Sequence, residues 1–183
     1  LDGQASYFKE LGYEVYLISQ NHFKEPIFCQ KEGIKHLPVK IVPDIHPIMD
    51  VLSLIQIIKH FRAIKPDIVN VGTPKMGLLG MMAAKFLGVK TRIYTCRGLR
   101  FETEKGVKRW ILEQMEKYTV SLAHHVIYVS PSLKQAALRY GVAQPSKAIV
   151  IGEGSSNGVD TSAFKSEAID AEKRKALISK YQL

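Results

Sequence analysis

The sequence predicts an α/β fold built on a mostly parallel sheet. Short apolar segments alternate along the 183 residues with amphipathic segments of helical length. Several of the apolar segments lead through a turn rich in glycine, serine or proline straight into the next helical segment. Strands and helices that alternate in this way form right-handed βαβ units, whose helices cover both faces of a parallel sheet. We therefore expect a Rossmann-like domain.

The first elements are a short helix and a buried strand. Residues 4–11 place Ala5, Phe8 and Leu11 on one side and end at Gly12, the usual position for a C-terminal glycine. Residues 13–19 are largely apolar, as in a strand buried within a sheet. Residues 20–47 are mixed, with one further strand predicted near 34–39.

The rest of the chain has a more regular pattern. Residues 48–64 repeat apolar residues at helical spacing until Pro66 ends the pattern. Strands at 67–71, 91–96 and 126–129 then alternate with helices at 76–87, 103–123 and 131–140, and Ser130 and Pro131 begin the last of these. In the long helix, the residues expected to point inward are Val107, Trp110, Ile111, Met115, Tyr118 and Leu122.

One expected element has no counterpart in the pattern. A doubly wound sheet starts with a central strand and a glycine-rich turn, whereas this chain starts with a helix and keeps only Gly3 from such a turn. We therefore expect the first strand to be missing from this chain. Buried unpaired backbone groups cost ~1–3 kcal/mol each, so we expect the strand at 13–19 to pair with the strand at 67–71, or a second copy to fill the place in a homo-oligomer.

Length and pattern divide the chain into one domain and a tail. Residues 1–150 are predicted to form the Rossmann-like domain, residues 151–164 a crossover segment, and residues 165–183 a charged helical tail or the start of a second domain. A chain of this length has no room for two full α/β domains.

The composition restricts the class of partner. Twenty-six basic against 17 acidic residues give a net charge of +9, which favours an anionic partner such as a phosphorylated carrier, an acidic membrane surface or a nucleic acid. No nucleic-acid-binding motif accompanies this charge, so we expect no nucleic-acid partner. The two cysteines, Cys29 and Cys96, argue against a disulfide framework and indicate a reducing, cytoplasmic compartment.

Ligands of open parallel sheets bind beyond the carboxyl ends of the strands. At the start of a helix, Lys75 is suited to a phosphate group. After a strand, Arg97 is suited to bidentate phosphate contact, and Gly98 allows close approach of a ligand. A solvated helix cap and a surface turn are the alternative interpretations. The candidate binding residues are Gly3, Gln4, Thr73, Lys75, Arg97, Gly98, Arg100, Ser130, Ser132, Glu153, Gly154 and Asn157.

A basic group lies beside aromatic residues just after the strand at 91–96. It comprises Arg100, Lys105, Lys108 and Arg109, next to Phe101 and Trp110. Two interpretations stay open: a solvated helix face, or a contact with anionic lipid headgroups.

Several motifs of other classes are absent from the sequence. Gly152, Gly154 and Gly158 miss the spacing of a dinucleotide fingerprint, and the phosphate-binding motif GxxxxGK[ST] does not occur. Tyr140 has no lysine four residues later, which argues against a nucleotide-sugar epimerase. No metal-ligand spacing of the H-E-x-x-H type occurs. We expect neither a metal nor a bound cofactor.

Five strings in the chain resemble the first domain of family-4 glycosyltransferases of the GT-B fold, in particular those of capsule and exopolysaccharide clusters. They are YFKELGYEVYLIS, VNVGTPKMGLLGMMAAKFLGV, RIYTCRGLRFE, AHHVIYVSPSLK and VIGEGSSNGVD. The resemblance covers nearly all of residues 1–164 and includes a crossover in which Phe164 follows Asn157-Gly158-Val159-Asp160.

The resemblance implies an acceptor-binding first domain of a retaining, metal-independent transferase. Its acceptor would be a glycan or a lipid-diphosphate-linked sugar, and the protein would be cytoplasmic or peripheral on the inner face of the membrane. A nucleotide-sugar donor would bind mainly to a second domain that carries the paired glutamates E-x7-E, so this chain alone would be inactive. The alternative is a non-enzymatic, basic Rossmann-like module for an anionic partner.

The same resemblance assigns roles to a few positions. Gly3 matches the first-turn glycine, and Arg97 stands where many relatives have histidine. A guanidinium stays charged, so the expected role of Arg97 is to orient the donor phosphate or the acceptor. No catalytic residue is expected in this chain.

Overall fold

A computed structural model describes residues 3–20, 24–42, 44–155, 161 and 171–181. These residues form six strands, seven α-helices and one 3-10 helix at Arg100–Thr103. The strands are β1 (Tyr16–Ser19), β2 (Lys35–Pro38), β3 (Ile68–Val71), β4 (Thr91–Cys96), β5 (His125–Tyr128) and β6 (Ala148–Ile149). The helices are α1 (Gln4–Glu10), α2 (Lys24–Glu32), α3 (Pro47–Ile64), α4 (Pro74–Phe86), α5 (Gly106–Leu122), α6 (Pro131–Arg139) and α7 (Ala171–Tyr181).

Every strand pair is parallel, which confirms the predicted Rossmann-like architecture. The strands lie in two sheets, β1-β2 and β3-β4-β5-β6. The expected pairing of the strand at 13–19 with the strand at 67–71 is therefore wrong, because β1 and β3 belong to separate sheets within the described residues. Apolar side chains join the two sheets instead: Ile18 of β1 and Val39 after β2 pack into the same core as Ile57 of α3.

Helix α4 lies at the centre of the helical layer, packed against α3, α5 and the strands β3 and β4. Two of its glycines allow this close approach. A Cβ added to Gly77 would lie 3.0 Å from Tyr94 Cε2, and one added to Gly80 would lie 2.8 Å from Val71 Cγ1. The small residues of α4 therefore bring the helical layer close to the sheet.

The structure adds a helix that the sequence pattern did not predict. Helix α2 occupies part of the region 20–47, which was expected to hold only a strand near 34–39. The segment contains Pro26 and no clear apolar stripe, so its sequence has no helical periodicity to detect.

The predicted inward face of the long helix is largely wrong. Of the expected residues, Met115 and Leu122 contact the core, but Val107, Trp110, Ile111 and Tyr118 are exposed. The buried side of α5 is instead the row Leu112, Glu116, Thr119, Val120 and Leu122. Glu116 and Thr119 in that row are polar. The spacing of apolar residues therefore favoured the opposite side of α5, which is the more apolar one.

Candidate functional site

The strands β3, β4 and β5 end at one common edge of the four-stranded sheet. Val71 is the partner of Tyr94, and Cys96 is the partner of Tyr128, in the parallel registers. The segments that follow these strands, residues 72–75, 97–100 and 129–132, therefore leave the sheet side by side. Most of the candidate residues predicted from the sequence lie in these segments.

Arg97 joins two of these segments. Its Nη1 donates a hydrogen bond to the carbonyl oxygen of Gly72, 3.1 Å away, and the side chain is exposed. Thr73, the next residue, is also exposed and begins α4 without a side-chain cap hydrogen bond. Gly98 is exposed, and a Cβ added there would meet nothing within 4 Å. This corner can therefore receive a ligand without rearrangement of the backbone.

Lys75 is held in a different way. Its ammonium group lies 2.6 Å from Asp50 Oδ1, donates to Val42 O at 2.5 Å, and also donates to Asp44 O. A lysine has three N–H donors, so these three acceptors occupy the whole ammonium group. In this structure Lys75 holds the segment before α3 against the start of α4. Its predicted role as an anion ligand stays a prediction.

A cleft lies between that segment and α5. It is lined by Ile45, Pro74, Lys75, Arg100, Phe101, Leu112, Met115, Glu116 and Thr119. The cavity at the base of the cleft has a volume of only about 20 Å³. That is room for about one water molecule, so a sugar would have to bind at the mouth of the cleft.

Arg100 stands at the mouth of this cleft, with a half-exposed side chain. Its guanidinium lies 3.7 Å from the exposed carboxylate of Asp44. Such a contact in water contributes little to stability. Arg100 can therefore exchange Asp44 for a phosphate group at little cost.

Glu116 is the buried ionisable group of the cleft, and sequence reasoning missed it. The Tyr94 hydroxyl donates to Oε2 at 3.2 Å, and the Cys96 thiol lies 3.7 Å from Oε1. Burial raises the pKa of the Glu116 carboxyl and raises the pKa of the Cys96 thiol to about 12. Only the helical spacing of Glu116 with Leu112 and Thr119 could have signalled its burial.

Ser130 and Ser132, after β5, have a structural role. Ser130 Oγ accepts a hydrogen bond from Leu133 N at 3.1 Å, which caps α6 as predicted. It also lies 2.9 Å from Ser132 Oγ. Ser132 is exposed at the same edge of the sheet.

The crossover segment returns to the serine pair. Gly154 has a φ of +90°, and a Cβ added there would lie 2.6 Å from Val129 O and 2.8 Å from Ser130 Cα. Glu153 is exposed beside it. The backbone at Gly154 therefore lies directly against the segment after β5, whereas Asn157 lies outside the described residues.

Gly3 and Gln4 lie in a different setting. Gly3 N donates to Glu32 Oε1 at 2.8 Å, and Ser6 N donates to Glu32 Oε2 at 2.9 Å. The buried carboxylate of Glu32 thus caps the start of α1, while Gln4 is exposed. Sequence reasoning missed this contact because Glu32 lies on α2, the helix it did not predict.

The described residues contain no group of three or more histidine, cysteine, aspartate or glutamate side chains placed to hold a metal ion. Cys29 and Cys96 are both buried, and neither takes part in a disulfide within the described residues. Among the helices of the described part of the chain, none is long and apolar enough to cross a membrane.

Comparison with known families gives one match over most of the chain. The family model Glycosyltransferase Family 4 matches residues 3–163. This range includes all twelve candidate binding residues.

Two curated proteins are similar in sequence. The capsular polysaccharide biosynthesis glycosyltransferase CapM of Staphylococcus aureus is 39% identical over 163 residues, which are 89% of this chain and 42% of CapM. The UDP-Gal:alpha-D-GlcNAc-diphosphoundecaprenol alpha-1,3-galactosyltransferase of Escherichia coli is 30% identical over 118 residues, which are 64% of this chain and 30% of that enzyme. The chain thus spans less than half the length of these relatives.

A glycosyltransferase from Rickettsia africae is similar in structure. It superimposes with a TM-score of 0.65 at 22% identity, over 97% of this chain and 44% of the Rickettsia chain. The likeness shows that the fold is the N-terminal half of a GT-B fold, as the sequence predicted.

Proposed function

This chain belongs to Glycosyltransferase Family 4, and from that premise we propose that it is the acceptor-binding half of a retaining glycosyltransferase of surface polysaccharide biosynthesis. The proposed enzyme transfers a sugar from a nucleotide-sugar donor to a glycan or lipid-diphosphate-linked acceptor. Two relatives support this class of reaction: CapM is named for capsular polysaccharide biosynthesis, and the E. coli enzyme for a diphosphoundecaprenol-linked acceptor.

One structural observation supports the proposal most strongly. The segments that follow β3, β4 and β5 meet at the carboxyl edge of the sheet, where Arg97 bonds Gly72 and Gly154 packs against Ser130. Ligands of open parallel sheets bind at this edge. The edge is polar and basic, and it is open at Gly98, as a site for a phosphorylated substrate requires.

The residues of this edge would position substrate and perform no covalent chemistry. The guanidinium of Arg97 orients a phosphate or an acceptor hydroxyl, since a permanently charged group does not exchange protons. Arg100 attracts the diphosphate at the mouth of the cleft. The backbone at Gly98 lets the substrate approach the strand end closely. A charge fixed in a cleft before the reaction begins lowers the transition-state energy without reorganisation.

The proposed function also implies a division of the chain. Residues 1–150 form the acceptor domain, residues 151–164 cross to the donor domain, and residues 165–183 begin it. The donor domain would supply the paired glutamates and most contacts to the nucleotide sugar, so the enzyme needs no resident cofactor or metal. A lipid-linked acceptor places the protein in the cytoplasm, peripherally on the inner face of the membrane.

The decisive experiment compares the 183-residue chain with the same chain joined to the donor half of CapM. Transfer of labelled sugar from UDP- or GDP-sugars to a lipid-diphosphate-linked acceptor is the readout. We expect transfer by the joined protein with retained anomeric configuration, and none by the chain alone. Turnover by the 183 residues would contradict the half-enzyme proposal. Acceptor binding without turnover in the joined protein would instead favour a non-enzymatic binding module.

A further inference from the structure

The base of the cleft is a small cavity with apolar walls and a polar floor. Its volume is about 20 Å³, which is room for one group of the size of a water molecule. Leu112, Met115 and Phe101 belong to the walls. Glu116 and Thr119, three positions apart on α5, form the floor and are only 8% and 2% exposed. Because a buried carboxyl group is costly unless hydrogen bonds satisfy it, the contacts of this floor decide what the cavity holds.

Both residues of the floor keep unused hydrogen-bond acceptor sites. Glu116 Oε2 accepts from the Tyr94 hydroxyl at 3.2 Å, and Oε1 lies 3.7 Å from the Cys96 thiol. An ionised carboxyl group has about four acceptor sites, so these contacts leave about two of them open. Thr119 Oγ1 donates its proton to Met115 O at 2.8 Å and keeps its lone pairs. The floor therefore needs a hydrogen-bond donor.

The two cations of the cleft do not supply this donor in the described part of the chain. The ammonium group of Lys75 is occupied by Asp50 Oδ1 and by two carbonyl oxygens before α3. Arg100 stands at the mouth, where its half-exposed guanidinium lies 3.7 Å from the Asp44 carboxylate. The donor that the floor lacks must therefore enter through the mouth of the cleft.

The size and the walls of the cavity define the chemistry of the group that enters. An ammonium group would have to give up its hydration between apolar side chains, which is costly. An amide N–H carries a planar group that is larger than one water molecule. A hydroxyl group fits, and it both donates and accepts hydrogen bonds. It therefore pairs with the ionised and with the protonated carboxyl group of Glu116, whose pKa is raised by burial.

Cys96 joins this cavity to the edge of the sheet that carries the candidate site. Its thiol lies 3.7 Å from Glu116 Oε1 and 3.6 Å from Gly98 O. Arg97 lies between Cys96 and Gly98 in the sequence. A hydroxyl group held at Glu116 is therefore one side chain away from the segment that is proposed to orient the substrate.

We propose that the cavity is a subsite for one hydroxyl group of the acceptor sugar, which donates a hydrogen bond to Glu116 and replaces a bound water molecule. The inference rests on the proposed function, since it requires a sugar acceptor at the mouth of the cleft. Arg100 then contacts the phosphate of the same acceptor. An acceptor without that hydroxyl group leaves the buried carboxyl group unpaired, so the subsite selects among acceptor sugars.

A high-resolution crystal structure of the free chain gives the first test. We expect one ordered water molecule within hydrogen-bond distance of the Glu116 carboxyl group and of Thr119 Oγ1. In a complex with a lipid-diphosphate-linked sugar, a sugar hydroxyl oxygen should take the place of this water molecule. A cavity that holds no group in either structure would overturn the proposal.

Binding to the 183-residue chain tests the chemistry of the group. The probe is N-acetylglucosamine diphosphate with a short lipid chain, together with derivatives that each lack one hydroxyl group. Titration calorimetry measures the Kd of each compound for the wild type and for Glu116→Gln. We expect one derivative to bind the wild type at least ~10-fold more weakly than the probe does. For Glu116→Gln this ratio should fall below ~3-fold, because an unpaired amide costs less than an unpaired carboxylate.

Two further variants serve as control and as second test. Glu113→Gln removes a carboxylate from the same helix, but Glu113 pairs with Lys117 at 2.7 Å and is not among the described residues that line the cleft. Its ratio should equal that of the wild type. Thr119→Val removes the other acceptor of the floor and should also lower the ratio, which tests the subsite if Glu116→Gln fails to fold. Urea denaturation verifies that each variant is folded.

Three binding results would overturn the proposal. They are no binding of the probe, equal binding of all derivatives, and the same ratio in Glu116→Gln as in the wild type. Sugar transfer is measured separately in the joined protein. Transfer without discrimination between the derivatives would contradict only the subsite. Discrimination by a chain that transfers no sugar after joining would contradict only the proposed function.

Discussion

Lys75 Nζ lies 2.6 Å from Asp50 Oδ1, and the two side chains are only 11% and 20% exposed. The contact joins the first turn of α4 to the first turn of α3. Two carbonyl groups of the segment before α3 accept the remaining donors of the ammonium group. A residue that the sequence pattern assigns to a substrate phosphate thus shapes one wall of the cleft.

The first prediction concerns this contact. Lys75→Met removes the donor to Asp50 Oδ1 and to two carbonyl groups and leaves the largely buried carboxylate without its cation, so we expect a loss of about 2–3 kcal/mol in the free energy of unfolding. Urea denaturation measures the loss. Lys90→Met is the control, because the Lys90–Asp67 pair is exposed on both sides and should contribute little. Normal stability of Lys75→Met together with weaker phosphate binding would instead assign Lys75 to the substrate.

The second prediction separates the glycines of the candidate site. Gly154→Ala should destabilise the fold and disturb the crossover, because the new Cβ would overlap the backbone at Val129 and Ser130 at a positive φ. Gly98→Ala should fold normally, since nothing lies within 4 Å of the added atom. Thermal unfolding compares the two variants. If Gly98→Ala is stable but impairs transfer in the joined protein, a substrate approaches that position.

The sequence predicted those helices and strands whose local pattern of apolar and turn residues matches their burial in the structure. Strand Thr91–Cys96 has the predicted bounds, because its β-branched and aromatic residues lie between the helix-ending Gly88 and the turn at Gly98. The position of the candidate residues at one edge of the sheet could also be predicted from the order of strands and loops along the chain. The loops that follow parallel strands lie together at the carboxyl edge of the sheet.

The contacts that were missed depend on residues far apart in the chain. Glu32 caps α1 from 26 and 29 positions away, and Lys75 reaches Asp50 across 25 positions. No local pattern encodes such pairs. The inward side of α5 was misassigned because its outward side is the more apolar one, and the packing against α4 decides which side is buried.

The third prediction concerns Arg97. In the joined protein, Arg97→Ala should lower the rate of transfer by ~10- to 1000-fold, as expected when a fixed charge is removed from a cleft. Stability should change little, because the side chain is exposed. Initial-rate kinetics and urea denaturation provide the two readouts. Arg97→Lys should recover only part of the rate, since an ammonium group lacks the planar bidentate geometry. Full activity of Arg97→Ala would mean that the segment after β4 is a surface turn with no role in substrate binding.

The fourth prediction concerns the two buried thiols. Burial raises the pKa of the Cys96 thiol to about 12, so the reactive thiolate is scarce at neutral pH. We expect a disulfide reagent such as DTNB to leave the native chain unmodified and to react with both cysteines after denaturation. Rapid modification of Cys96 in the native state would show that the cleft opens as far as β4.

The last prediction follows from Glu116. Its pKa is raised by burial, so the folded state binds a proton more tightly than the unfolded state does. Stability therefore falls as the pH rises from the ordinary glutamate range through the raised pKa, and then levels off. Glu116→Gln cannot ionise, so its unfolding free energy relative to the wild type should increase as the pH rises from the ordinary glutamate pKa of about 4.3 through the raised pKa of Glu116.

Tyr94→Phe provides the second test of Glu116. The Tyr94 hydroxyl donates to Glu116 Oε2 and lowers the pKa of the carboxyl against the larger effect of burial. Removing that hydroxyl should move the loss of stability to higher pH. Urea denaturation at a series of pH values measures wild type and both variants. Parallel curves for wild type and Glu116→Gln would mean that the carboxyl ionises in the folded cleft as it does in water, and water would then have to reach Glu116 freely.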